Sequence, residues 1–285
     1  MIFQNLKYHK MNHMKEMTLE DTIDIRKTIL DMFHRLCQEN NLQYSLGYGT
    51  LLGAVRHGGM IPWDDDIDVV MPREDYDRLE AMYKDPSCQD RYQFVNHRNH
   101  PEIKTKIGYY IDFMTLVEVA GIKKEYNGIH IDVYPIDVMP CDRRTQKKYY
   151  RKRKWLHFLI RAKDVHPDVL KGWKRMIRRI VQHIFSPVNQ DEVLDELNSE
   201  AKLFMNVPEN QKQSVCCYCE TGEPLCFPYS TLTEYQLYNY DGKQYPGFKN
   251  YDAPLTAWYG DYMTPPKEED RHRRGHKWVR YFYKD

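Results

Sequence analysis

The sequence predicts an α+β fold, on three observations about the order of its patterns. Residues 18–41 carry a helical period, short segments around Asp68 and Asp132 carry strand character, and residues 143–204 return to a helical period as a separate block. Core strands and helices thus precede a helical insertion.

Residues 1–17 contain four methionines and no clear period, which reads as a loosely ordered lead-in. Thr18 followed by Asp21 then resembles a capped helix start. Leu19, Ile23, Ile29, Leu30, Phe33, Leu36 and Cys37 recur at helical spacing, and the helix is expected to close near Asn40 and Asn41. Residues 42–46 are a short strand candidate, followed by a glycine-rich turn at Gly47, Gly49 and Gly53. Asp64, Asp65, Asp66 and Asp68 form the densest acidic cluster, and the β-branched Ile67, Val69 and Val70 predict a strand entering the core as the acids end.

Pro72 breaks that strand, and residues 73–83 carry a further amphipathic helix. Residues 92–95, 103–107, 109–115 and 116–119 are strand candidates. In Gly128–Pro135 the apolar Ile129, Ile131 and Val133 alternate with His130, Asp132 and Tyr134, which predicts a strand with a carboxylate on its polar face. After Pro140 the texture changes. A basic run from Arg143 to Lys154 leads into Trp155, Leu156, Phe158, Leu159 and Ile160, and a second basic segment carries Trp173, Met176, Ile177, Ile180 and Ile184. Both read as basic amphipathic helices, suited either to an anionic membrane surface or to a solvated insertion. A third helix over 191–204 has ordinary polarity; beyond residue 214 come short strands and turns, with a short helix within 250–260.

Lys and Arg total 42 against 41 Asp and Glu, so bulk charge points to no nucleic-acid partner, and electrostatic arguments must be local. No apolar window is long enough to span a bilayer and no secretory h-region opens the chain, so a cytoplasmic location is expected. Seven cysteines without an export signal argue for reduced thiols. The 23 tyrosines offer hydrogen-bonding aromatic surface for sugars or nucleotides, or simply the edges of a core.

Side chains two apart on a strand share a face, so Asp66 and Asp68 point the same way, about 6–7 Å apart. Neighbouring carboxylates repel, and a hard cation such as Mg²⁺, with Mn²⁺ as the alternative, relieves them. Asp132 is the natural third carboxylate, as a metal bridge or as acceptor of a hydroxyl proton. The glycine turn with Thr50 is suited to phosphate oxygens but matches neither the Walker loop nor the dinucleotide fingerprint. Arg56, His57, Arg73 and Lys106, with Lys104 and Arg271, are candidates to offset phosphate charge. A phosphate cradle ahead of a metal-binding strand is the requirement of metal-assisted phosphoryl or nucleotidyl transfer. A calcium loop is excluded, because Val69 stands where it needs glycine and Asp75 where it needs the closing Glu. A plain acidic surface turn would not explain the flanking glycines and β-branched residues. Cys216, Cys217, Cys219 and Cys226 are either a zinc site or buried reduced thiols; the adjacent pair and the lack of clean knuckles favour the thiols.

Gly49-Thr-Leu-Leu-Gly-Ala-Val-Arg-His57, Ile61-Pro-Trp-Asp-Asp-Asp-Ile-Asp68 and Arg73-Glu-Asp-Tyr76 resemble the LicD family of phosphotransferases. Ile131–Asp137 and Trp258–Pro266 are similar to its later motifs, and the likeness spans most of residues 20–275. This resemblance implies a nucleotidyltransferase core of the DNA polymerase β type, a small mixed sheet flanked by helices. It also implies transfer of a phosphorylated alcohol, typically phosphocholine from CDP-choline, to a glycan hydroxyl of teichoic acid, lipopolysaccharide or capsule, with release of CMP; fukutin-related members use CDP-ribitol. By position, Asp66 and Asp68 correspond to metal ligands, Asp132 to the third acid, and Gly49 and Thr50 to the phosphate-binding turn. One catalytic domain over 18–275 is expected, with a core at 18–140, a basic helical insertion at 141–210 and a substrate-side segment at 211–275. The insertion matches no family motif, and a lipid-linked glycan acceptor would draw 143–185 to the inner face of a membrane. Three other readings stay open: CDP-glycerol or CDP-ribitol as donor, nucleotidyl transfer with pyrophosphate release, and a non-catalytic binder of membrane or nucleic acid.

Overall fold

The computed structural model describes residues 15–85, 90–119, 128–140, 142–164, 172–220, 225–271 and 279–283. Strand β1 (Lys15–Glu16) leads into helix α1 (Leu19–Glu39), followed by β2 (Ser45–Leu46), α2 (Tyr48–His57), β3 (Asp68–Pro72) and α3 (Arg73–Met82). Next come β4 (Tyr92–Val95), β5 (Gly108–Asp112), β6 (Thr115–Val119) and β7 (Ile129–Met139). A helical block of α4 (Arg143–Asp164), α5 (Trp173–Ile184) and α6 (Gln190–Ala201) separates them from β8 (Ser214–Cys216), β9 (Phe227–Pro228), β10 (Tyr235–Tyr240) and β11 (Lys243–Phe248). Helix α7 (Asp252–Tyr259) and strand β12 (Val279–Tyr283) follow. The α+β expectation is met by a mixed sheet and helices.

The main sheet runs β2-β3-β7-β5-β4, with β8 on the far half of β7 and β9 beyond it. Among the described residues, only the β3–β7 pairing in this sheet is parallel. Val69 and Val70 are fully buried on opposite faces of β3, while on β7 Ile131 and Val133 bury one face and leave His130, Asp132 and Tyr134 half-buried on the other. Helix α1 starts where expected: the Thr18 hydroxyl accepts from the Asp21 N–H at 3.1 Å and the Thr18 N–H donates to the Asp21 carboxylate at 2.8 Å. Its buried stripe of Ile29, Leu30, Phe33 and Cys37 packs on β5 and β7, each side chain contributing about 1.5–3 kcal/mol of burial.

Three local readings change. Residues 103–107 form turns rather than a strand, because the Ile103 N–H donates to the His100 carbonyl and the Thr105 N–H to the Ile103 carbonyl, both at 2.8 Å. Residues 109–115 split into two strands where the Thr115 hydroxyl donates back to the Asp112 carbonyl at 2.7 Å and ends β5. Within 1–17, residues 1–14 lie outside the described residues, while β1 pairs with β12, which pairs in turn with β6. This small antiparallel sheet takes in two segments outside 18–275. No helix among the described residues is long and apolar enough to cross a membrane.

The largest correction concerns Gly47, Gly49 and Gly53, which do not form a turn. Gly47 caps α2, and Gly49 and Gly53 lie inside it, four residues apart and therefore on one face. The chain leaving α2 turns at Gly58 (φ 70°) and runs back along that face. A Cβ on Gly53 would sit 2.5 Å from the Gly59 carbonyl oxygen, and one on Gly49 would sit 2.5 Å from Asp64 Oδ2. Glycine spacing here marks a groove in a helix that receives the acid-bearing loop. Gly53→Ala should therefore destabilise, since about 1–3 kcal/mol of overpacking against backbone outweighs the helix-propensity gain of about 0.5–1 kcal/mol. The expected readout is a melting temperature lower by about 2–8 °C.

Candidate active site

The parallel register sets Asp68 opposite Asp132. The Asp132 N–H donates to the Ile67 carbonyl at 2.9 Å, extending the pairing one residue toward the acids. The first turn of α2 holds Asp68 from the other side. The Gly47 N–H donates to the Asp68 carbonyl at 2.9 Å, and the Asp68 N–H donates to the buried Thr50 hydroxyl at 2.8 Å. Thr50 therefore acts on the position of Asp68, and Gly49 gives the Asp64 carboxylate its place beside the helix N-terminus.

Asp64, Asp65 and Asp66 each bring a carboxylate oxygen to within 4.8 Å of the others. Burial, then the charges of Asp66, Asp132, Asp64 and Glu220, hold the Asp68 carboxyl well above the usual carboxylate range. Asp64 rises to about 7 through burial and the neighbouring Asp66. Asp132 also rises to about 7, again through burial and then Asp66, while the Tyr134 hydroxyl and Arg26 pull it back. The fold keeps Asp64 in one group with Asp65 and Asp66.

Several partners carry no local signal in the sequence. Tyr48 donates its hydroxyl to Glu220 Oε2 at 2.6 Å across 172 positions, and Glu220 is raised by burial and contributes to the field at Asp68. The Tyr134 hydroxyl donates to Asp132 Oδ2 at 3.3 Å, while His130 Nε2 lies 3.6 Å from Asp132 Oδ1. Alternation had already put all three of these residues on one face of the strand. Trp258 stacks on Tyr48 with ring centroids 4.3 Å apart, and Tyr259 feels the charges of Asp68, Asp64 and Asp66. Helix α7 thus reaches back to the acids from the C-terminal segment.

Arg56 and His57 lie at the opposite end of α2 from Gly49, about 10 Å along the axis. The Arg56 guanidinium donates to the Tyr262 carbonyl, and His57 packs edge-on to Trp63 at 5.6 Å. Arg271 stacks on the other partner of that contact, 4.8 Å from the Trp63 ring centre. Burial, then Arg56 and Arg271, lower the His57 imidazole below its usual value. Lys106 is near Glu220 and His157, since its charge acts on both. Arg73 is not available to phosphate: it is buried, with Nε 2.6 Å from the fully buried Asp137. Lys104 pairs with Asp191 instead. The four-cysteine group does not converge on a metal point. Cys216 Sγ lies 3.1 Å from Met139 Sδ, Cys226 lies 3.5 Å from the Tyr150 hydroxyl, and among the described residues only Asp64, Asp65 and Asp66 come together closely enough to hold an ion.

The arrangement is a set of hard oxygen donors, of which Asp64, Asp68 and Asp132 have their proton affinities raised by burial and then by neighbouring charge, with an aromatic wall on one side and Arg56 and His57 about a helix length away. Such a donor set suits Mg²⁺ or Mn²⁺. Residues 41–171 match the family model described as LicD/FKTN/FKRP, nucleotidyltransferase domain. Over 278 residues, 90% of this chain and 96% of the relative, the sequence is 28% identical to the lipopolysaccharide cholinephosphotransferase LicD of Haemophilus influenzae. It is also 51% identical over 49 residues to an uncharacterised protein of Rickettsia prowazekii, covering 17% of this chain and 18% of that protein. A similar stretch of 42 residues is 55% identical to an uncharacterised protein of Rickettsia typhi, covering 15% and 14%.

Proposed function

We propose, from the premise that residues 41–171 are a LicD-family domain, that this chain moves phosphocholine from CDP-choline to a hydroxyl of a cell-surface glycan and releases CMP. The observation that carries this reading is the carboxylate group at the start of β3 and on β7, within a chain that aligns along nearly its whole length with a cholinephosphotransferase. The core at 18–140 is taken as a nucleotidyltransferase fold of the DNA polymerase β type, with 141–210 inserted and 211–275 serving the substrates.

Asp64, Asp65 and Asp66, with Asp68 and Asp132 beside them, would hold Mg²⁺ or Mn²⁺. When bound, the cation supplies charge neutralisation on the phosphoryl oxygens. Asp132, fixed by the Tyr134 hydroxyl and flanked by His130, accepts the proton of the glycan hydroxyl. The oxygen left by that proton forms a bond to the phosphorus distal to cytidine, and the bond from that phosphorus to the CMP oxygen breaks. Arg56, His57 and Lys106 offset negative charge on the donor and on departing CMP. Glu220 and the faces of Tyr134 and Trp258 offer a carboxylate and aromatic surface, the surroundings that a quaternary ammonium favours.

The test supplies the full chain with a lipopolysaccharide acceptor, Mg²⁺ and, in separate reactions, CDP-choline, CDP-glycerol or CDP-ribitol. Mass spectrometry should find CMP from CDP-choline, and none after chelation. CMP from one of the other donors reassigns the alcohol. Pyrophosphate from a nucleoside triphosphate, with no CMP from any donor, replaces this reading by nucleotidyl transfer.

A further inference from the structure

The insertion has a surface that the chemistry above does not use. On α5 the apolar Trp173, Met176, Ile177, Ile180 and Ile184 share one side of the helix, and each is between 46% and 66% exposed. Among its described side chains the half-buried ones are Arg175, Val181 and Gln182. This reverses the usual arrangement, in which the apolar stripe of a surface helix faces the core. Helix α4 continues the patch with Trp155 and Phe158, exposed at 53% and 44%, their rings 5.5 Å apart and both in edge contact with Phe185 just beyond α5.

We propose that this face docks on an anionic lipid membrane. Charge decides between the occupants. From Arg143 to Ser186 the sequence carries 15 Lys and Arg against two acids, Asp164 and Asp168. A second copy would bring two such surfaces together and set like charges face to face, whereas phospholipid head groups of negative charge complement them. The exposed Lys174 and Arg179 border the apolar stripe, where they meet head groups as the stripe enters the interface. Tryptophan at positions 155 and 173 suits the same depth, with an apolar ring and a polar N–H. The opposite side of α4 is tied to the protein, since the buried Arg153 donates from Nε to the Tyr218 carbonyl at 2.7 Å. Docking is therefore by rigid helices on the body of the protein and does not depend on the reading of the acidic site.

Co-sedimentation of the full chain with vesicles tests this, using pure phosphatidylcholine and a 70:30 mixture with phosphatidylglycerol, about 30% being enough to impose a negative surface potential. Binding to the anionic vesicles should be at least about tenfold tighter than to neutral ones and should weaken in high salt. Ile177→Asp with Ile180→Asp should lower it at least about tenfold with an unchanged melting temperature, and Lys174→Glu with Arg179→Glu should do the same. If the first pair lowers the melting temperature, Trp173→Ser with Met176→Ser takes its place under the same criterion. Protein that stays in the supernatant, binds both vesicles equally, or binds equally well in these variants overturns the proposal. So does a concentration-dependent dimer, seen by light scattering, that the Ile177/Ile180 pair abolishes.

Discussion

Asp68→Asn is expected to lower turnover at least about a thousandfold, a loss of about 4 kcal/mol of transition-state stabilisation. The same substitution should raise the melting temperature of protein held in chelator. Both effects have one origin. The Asp68 carboxyl is buried among Asp66, Asp132, Asp64 and Glu220, so its ionised form is disfavoured in the folded protein unless a cation is present. Asparagine keeps the shape and removes the charge. The sign with pH follows from the raised proton affinity: as pH falls below the folded value the wild-type carboxyl is neutral in the folded protein, and its cost shrinks steadily until the unfolded chain is protonated as well. The stability gap between variant and wild type should thus be wide at pH 8 and narrow at pH 5. Steady-state CMP release and thermal melts in chelator at the two pH values check this. A variant with near-normal turnover would remove Asp68 from the site.

Arg73→Met is expected to cost about 3–5 kcal/mol, lowering the melting temperature by about 10 °C. Arg73 is the first residue of α3, and its guanidinium joins three parts of the fold: α3, β7 and α6. Nε pairs with Asp137 on β7 at 2.6 Å, Nη1 donates to Asn198 on α6 at 3.0 Å, and the guanidinium stacks over Tyr76 at 5.2 Å. Asp137 in turn accepts from the Tyr218 N–H at 3.2 Å. Removing the guanidinium leaves a fully buried carboxylate whose proton affinity burial raises, with the Tyr218 N–H hydrogen bond left to oppose it. Arg73→Met combined with Asp137→Leu should recover more than half of the loss, because the buried charge goes with its partner. Chemical denaturation of the wild type, both single variants and the double variant measures the coupling. A double variant that loses the sum of the two single losses would show that the pair contributes nothing.

What the sequence made legible was local. Helix α1 follows from the Thr18 and Asp21 cap and one apolar stripe, and β7 from the alternation of Ile129, Ile131 and Val133, because each pattern is complete within a few turns or pleats. That alternation, with the acid spacing, was enough to bring Asp68 and Asp132 together across a parallel pairing. The glycines misled because a spacing of four serves a helix face as well as a turn, and only the returning loop at Gly59 and Asp64 distinguishes them. Arg73 was taken as a phosphate partner on proximity, yet its partner is Asp137, 64 positions away. Glu220 and Arg26 were invisible for the same reason: long-range pairing leaves no periodic trace. The basic insertion was legible as amphipathic helices, but which face they turn outward depends on packing that no window of sequence contains.

The sheet that joins β1, β12 and β6 gives this protein a fixed order of completion during synthesis. Tyr281 on β12 lies under the Arg26 guanidinium, 5.7 Å from ring centre, and its carbonyl accepts from the Met17 N–H at 2.9 Å. Arg26 is the cation that acts on Asp132. A nascent chain can pair β3 with β7 once residue 139 has left the ribosome, but the strand behind Arg26 arrives some 140 residues later, on the order of ten seconds at ordinary elongation rates. Until then the edge of β6 lacks β12, and Arg26, the cation that acts on the acid of β7, lacks the ring of Tyr281 beneath it. The backing of the enzyme's acidic centre thus comes from a strand far downstream of the strands that carry the acids.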